Sequence, residues 1–164
     1  MIGYIDSDFE GRLDDQKRTS RYVFHLTSGV IAWASKKHPI VTLSLTEAEY
    51  VAATSASCQA VLLRRVLDGL KHKQQGSRTI HCDNTSAISL SKNSVFHQKS
   101  KHIDSRYYFI RVFVSNGEVH LKRCKFSDHL VDIFRKSLAI DVFEFHKRNL
   151  GVVSLAETYT NMHV

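Results

Sequence analysis

The spacing of apolar and polar positions changes period several times along the chain. Residues 2–9 alternate and predict a strand. A polar, charged stretch from Glu10 to Arg18 follows. Tyr22 to Thr27 is then rich in β-branched and aromatic residues, and Val30 to Trp33 continues after Ser28-Gly29, so the two runs predict a hairpin. The period next becomes helical: Ala53, Ala56, Ala60, Leu63, Leu67 and Leu70 form one stripe of a long amphipathic helix. Ser44 or Thr46 can cap its start, and Thr46-Glu-Ala-Glu49 fits a capping box. Arg78 to Asp83 predicts a short strand running straight into a helix at Asn84 to Leu90. Ile103, Tyr107, Ile110 and Val114 mark another helix, and Asn116-Gly117 turns the chain into a strand from Glu118 to Cys124. Ser127 can cap a helix through about Lys136, and Asp141 to Asn149 predicts one more. The order βββ-α-β-α-α-β-α-α predicts an α/β fold, a mixed sheet with helices on its faces.

Length and composition narrow the class. The 164 residues suit one domain, placed at 1–151, with 152–164 as a C-terminal tail in which periodicity fades. Apolar residues at 43% and charged residues at 24% exclude disorder, and a single proline with seven glycines excludes collagen-like or linker-dominated chains. No apolar run is long enough to span a bilayer, and Met1 to Asp6 lacks the basic start of a signal peptide. The expectation is an intracellular protein, cytoplasmic or nuclear, without a membrane partner. A formal net charge of +7 favours a polyanionic partner, nucleic acid above all. Cys58, Cys82 and Cys124 form no CxxC pair, which fits neither a disulfide scaffold nor a structural zinc site.

Three acids stand out by position. Asp6 lies in the first strand, where a buried charge is costly unless something pairs with it. Glu49 continues the apolar stripe of the long helix, whereas Glu47 points about 200° away from it. Asp83 sits at the carboxyl end of the fourth strand, the usual place for function in an open α/β sheet. Each also fits a local role, Asp6 at a turn and the other two as helix caps. Convergence of the three would raise their pKa values unless a cation neutralised them, and a carboxylate-only cluster suits hard divalent ions such as Mg²⁺. Asp132 is flanked by Leu130, Ile133 and Phe134, and periodicity places it off the core.

Several blocks together resemble a known family. Gly3-Tyr-Ile-Asp-Ser-Asp-Phe-Glu-Gly11, Leu13-Asp-Asp-Gln-Lys-Arg-Thr-Ser20, Ser44-Leu-Thr-Glu-Ala-Glu-Tyr-Val-Ala52, Cys82-Asp-Asn-Thr-Ser-Ala-Ile88 and Lys101-His-Ile-Asp-Ser-Arg-Tyr107 resemble the ribonuclease H domain of copia-type retrotransposon polyproteins. Asp128-His-Leu-Val-Asp-Ile-Phe-Arg-Lys-Ser-Leu138 resembles that family's terminal helix. The resemblance implies a ribonuclease H-like fold: a five-stranded mixed sheet, its first three strands antiparallel, with helices on both faces. It also implies a catalytic, metal-binding set of Asp6, Glu49, Asp83 and Asp132, the last from the family alone. The chain departs from the family where Phe9 replaces Trp, Arg21 replaces Gly and Arg135 replaces Thr.

By the same resemblance, the activity is endonucleolytic hydrolysis of the RNA strand of an RNA–DNA hybrid. Two Mg²⁺ ions roughly 3.5–4 Å apart, with Mn²⁺ able to substitute, would activate a water and stabilise the leaving oxygen. Discrimination against DNA is expected from contacts to the 2′-hydroxyl, with Ser7, Asn84 and Ser86 as candidates that also fit cap or turn roles. Lys101 and Arg106, with Lys17, Arg18, Lys36, Lys37 and Lys99, could track phosphates or form a solvated face. His129 is the candidate for assisting product release. The alternative reading is a host-retained, catalytically weak or inactive module that binds nucleic acid or a protein partner, from the host or the polyprotein. Oligomeric state stays open.

Overall fold

The β-branched and aromatic residues of the first forty positions form three consecutive strands in the computed structural model, which describes residues 1–8, 17–27, 29–92, 108–124, 129–134 and 137–152. These are β1 (Ile2–Asp8), β2 (Thr19–Leu26) and β3 (Gly29–Lys37). A long helix α1 (Leu45–Gly69) follows, then β4 (Arg78–Cys82), α2 (Thr85–Lys92), α3 (Phe109–Ser115) and β5 (Val119–Arg123). A 3₁₀ turn over Leu130–Phe134 and helix α4 (Ile140–Asn149) complete the order. The strands make one sheet in the order β3-β2-β1-β4-β5. β1, β2 and β3 are antiparallel, while β4 joins β1 in parallel and β5 joins β4 in parallel. This is the expected five-stranded mixed sheet.

Alternation sorts the side chains of the sheet between two faces. Ile5 and Phe24 face α1, α2 and α3, in a core with Tyr50, Ala53, Ala56, Ala60, Ile80, Ile110 and Leu121. Val23 and Tyr4 face the opposite way, against Leu130, Val131 and Leu150. Helices therefore cover both faces. Small residues let α1 lie close on the sheet: Ala48, Ala52, Ala53, Ala56 and Ala60 are all essentially inaccessible. At about 1.5 Å per residue the 25-residue helix is longer than the seven-residue β1, so its C-terminal end overhangs. Leu70, the last member of the predicted stripe, is accordingly 64% exposed.

Three local expectations change. The predicted hairpin strand ending at Trp33 runs on to Lys37. The helix predicted through about Lys136 is, over its described part, a 3₁₀ turn, which rotates its side chains differently from an α-helix. The capping box belongs to Ser44 and Glu47 rather than to Thr46 and Glu49: Ser44 Oγ accepts from the Glu47 N–H at 3.0 Å, and Glu47 Oε2 accepts from the Leu43 N–H at 2.7 Å. Glu47 is thus buried by capping its own helix, and Glu49 is left for other work. Phe9, Arg135 and residues 153–164 lie outside the described residues, as do residues 103–107 of the expected third helix. No helix among the described residues is long and apolar enough to cross a membrane.

Candidate carboxylate site

The site begins where β1 and β4 part. β4 pairs with β1 only over Ile2, Gly3 and Tyr4, opposite Thr79, Ile80 and His81. Beyond that register the strands diverge, at the switch from antiparallel to parallel neighbours where open α/β sheets form crevices. Divergence leaves the Ser7 N–H on β1 without a strand partner on that side. Glu49, in the second turn of α1, supplies one: its Oε1 accepts from Ser7 N at 2.8 Å. Its Oε2 faces the Cys82 thiol, which donates at 3.8 Å from the last residue of β4. Asp83 follows on the next residue, and ligand atoms of Glu49, Cys82 and Asp83 all lie within 4.8 Å of one another.

The electrostatics of the cluster follow from its burial. Glu49 is 4% exposed, whereas Asp83 faces solvent. Burial, then repulsion from Asp83 and Asp6, pushes the Glu49 carboxyl up to about 8, against the Ser7 and Cys82 hydrogen bonds that favour its ionised form. The Cys82 thiol is pushed up by burial and by the neighbouring Glu49 charge, so it presents a protonated sulfur rather than a thiolate. The donors on offer are therefore carboxylate oxygens, which suit a hard divalent cation better than a soft one.

Asp6 and Asp132 approach from the other face of the sheet. Asp6 is 1% exposed and sits opposite Arg21 in the β1–β2 register. The Arg21 guanidinium lies 3.8 Å from Asp6 Oδ2, and its side chain is as deeply buried as its partner's. Asp132 is 2% exposed, which corrects the expectation that it stands off the core. The 3₁₀ turn carries it against the Tyr4 and Val23 face, where Leu130 and Val131 anchor the backbone. His129 Nδ1 lies 3.6 Å from Asp132 Oδ1, and the His129 ring stands edge-on to Tyr4. The structure thus brings Glu49 and Asp83 together, sets Asp6 close enough to raise Glu49, and buries Asp132 beside His129.

Comparison with known proteins bears on the fold that carries these residues. No family model matches the chain. It is 38% identical over 156 residues to the retrovirus-related Pol polyprotein from transposon TNT 1-94 of Nicotiana tabacum, covering 94% of the chain and 12% of that polyprotein. It is 34% identical over 155 residues to the corresponding polyprotein from transposon RE2 of Arabidopsis thaliana, covering 94% of the chain and 11% of that protein. Its homologues are Pol polyproteins of copia-type transposons. The chain spans only about an eighth of their length. Among solved structures, the N-terminal RNase H domain of Rv2228c from Mycobacterium tuberculosis, determined as a fusion with maltose-binding protein, superposes with a TM-score of 0.53 at 15% identity. That match covers 88% of this chain and 95% of the other. The fold of this Pol homologue is therefore that of ribonuclease H.

Within this ribonuclease H fold the remaining candidates take distinct places. Ser7 is buried, and its backbone rather than its side chain serves the site. Asn84 caps α2, its Oδ1 accepting from the Ala87 N–H at 2.9 Å. Ser86 is exposed and lines a shallow groove with Thr46, Thr85, Ser89 and Leu90, between the starts of α1 and α2. His129 is 2% exposed, an interior position. Lys101 and Arg106 lie outside the described residues. Sequence reasoning missed two residues that the structure places beside the candidate carboxylates. Cys82 was signalled by its position beside Asp83 at the end of an alternating strand. Arg21 was signalled only by its departure from the family's glycine, because nothing local foretells that its side chain turns inward.

Proposed function

We propose that the chain is a divalent-metal-dependent endoribonuclease that hydrolyses the RNA strand of RNA–DNA hybrids. The observation that carries this reading is the convergence of Glu49 and Asp83 at the carboxyl end of β4, with Asp6 adjacent and the Glu49 carboxyl pushed up to about 8. Like charges crowd there, and a divalent cation relieves the crowding. Mg²⁺ fits the oxygen donors best. Glu49 and Asp83 would hold it, with Asp6 and Asp132 completing the set of four. A bound pair of such ions supplies an activated water at neutral pH and charge neutralisation at the leaving oxygen.

The chain's own residues do the rest. Glu49 is fixed from three elements at once, through its helix, the Ser7 N–H and the Cys82 thiol, so its oxygens cost little to organise when charge develops. Asp83 faces solvent and meets the scissile phosphate first. Ser86, three residues further on and lining the groove between α1 and α2, would contact a 2′-hydroxyl. A second groove, lined by Lys92, His120, Lys122 and Arg123, offers positive charge to the phosphates further along a duplex.

The test is cleavage of an end-labelled RNA–DNA hybrid with Mg²⁺ or with chelator, beside an Asp83→Asn variant. Expected are cuts that need metal and fall by at least about a hundredfold in the variant. Metal-independent binding without cleavage would instead favour a retained binding module. One observation points that way: the buried Arg21 guanidinium lies 3.8 Å from Asp6 Oδ2.

A further inference from the structure

That ion pair has a chemical consequence for the site. Asp6 and Arg21 are register partners on neighbouring antiparallel strands, so their side chains leave the same face of the sheet about 5 Å apart at Cβ. The backbone ladder on both sides fixes this placement, through Ile5 opposite Tyr22 and Ser7 opposite Ser20. Arg21 is among the largest fully buried side chains of the described residues, at 1% exposure, and Asp6 matches it. With so little room to swing out, the guanidinium stays 3.8 Å from Asp6 Oδ2. Arginine, unlike lysine, does not readily shed its charge on burial. A carboxylate that already faces one buried cation is a poorer ligand for a second, and two cations a few ångströms apart repel each other strongly where water is excluded.

We propose that Arg21 is a resident counter-ion of the carboxylate site, occupying Asp6 in competition with a divalent cation and weakening metal binding there. The proposal rests on the metal-dependent reading above. It assigns the weakness to one side chain rather than to loss of ligands: Glu49 and Asp83 stay on the far side of β1 from Arg21, available to hold a cation. Asp6 joins them only when the guanidinium gives way. The site is thus tuned so that occupancy needs a higher metal concentration than its carboxylate count alone would demand.

The experiment measures Mn²⁺ affinity directly, by titration calorimetry and by the free-ion electron paramagnetic resonance signal, in the full chain. Arg21→Met keeps the volume and apolar stem but removes the charge. Arg21→Gln does the same with a polar end, should the methionine variant fail to fold. Arg21→Lys keeps the charge. Expected are a Kd for Mn²⁺ at least tenfold tighter in Arg21→Met or Arg21→Gln, and a Kd within about threefold of wild type in Arg21→Lys. The Mn²⁺ concentration giving half-maximal hybrid cleavage shifts down in parallel. Wild-type binding that the neutral variants leave unchanged or weaken overturns the role of Arg21 while leaving the metal site standing. Absence of Mn²⁺ binding in every folded variant, Arg21→Met included, overturns the metal site itself.

Discussion

Asp6 and Glu49 carry the same charge, yet their environments predict opposite responses to its removal. Glu49 is buried among like charges, so Glu49→Gln removes repulsion and should raise the thermal midpoint of the metal-free protein by a few degrees. Asp6→Asn instead takes a carboxylate away from a buried guanidinium, and breaking one side of a buried ion pair is expensive. Its expected cost is about 3 kcal/mol, read as an earlier urea midpoint with unchanged slope. From sequence alone, both substitutions look neutral or stabilising, because both acids look like members of one repelling cluster. Only the register that sets Arg21 opposite Asp6 separates them. Should Asp6→Asn prove as stable as Glu49→Gln, the buried pair contributes nothing to the fold.

Among the elements, β1 carries the most constraint, since it is the central strand and brings both Asp6 and the Ser7 N–H to the site. Its packing admits no side chain at Gly3: a Cβ there would clash with Phe24 Cε1 and come within 2.8 Å of Cδ1, on a fully buried ring. Gly3→Ala should therefore cost roughly 1–3 kcal/mol through overpacking, measured by urea unfolding. A loss below a few tenths would mean that the Phe24 ring moves aside freely. The helices were legible to different degrees. The alanine stripe announced α1 and the inward direction of Glu49 because a helix has a fixed period. The choice of Ser44 over Thr46 as cap did not follow from pattern, since both begin a Ser/Thr-x-x-Glu motif, and one residue's difference is decided by where the chain enters the sheet.

For the whole molecule, stability against acid depends on a contact between distant segments. His38, just past β3, is buried beside Ser20 of β2, and its side chain hydrogen-bonds to the Ser20 hydroxyl. Burial, with the Arg18 charge adding to it, pulls the imidazole down to about 4. The fold thus favours neutral His38, while the unfolded chain takes up a proton near the ordinary value of 6.5. Stability is fully present above that value and is lost as pH falls from 6.5 towards 4, by at most about 3 kcal/mol and less where solvent screens the charge. A His38→Gln variant should show a shallower fall across the same window in thermal melts. An equal slope in the variant would assign the acid sensitivity to other groups.

Hydrophobic periodicity by itself determined the order of strands and helices, and the family-like blocks determined which fold that order builds. Both are local properties of sequence, because strand alternation and helical stripes are set by backbone geometry within a few residues. The position of Asp132 escaped that reasoning, since a 3₁₀ turn has a different period from the α-helix the pattern suggested. Contacts across the sheet escaped it too. The Cys82 thiol meets Glu49 only because β4 ends where α1 begins to cross, and Arg21 meets Asp6 only because β1 and β2 pair in that register. Which acids share a pocket, and which one already has a cation, is decided by three-dimensional proximity at distances of a few ångströms, where electrostatic energies are large and sequence separation carries no information.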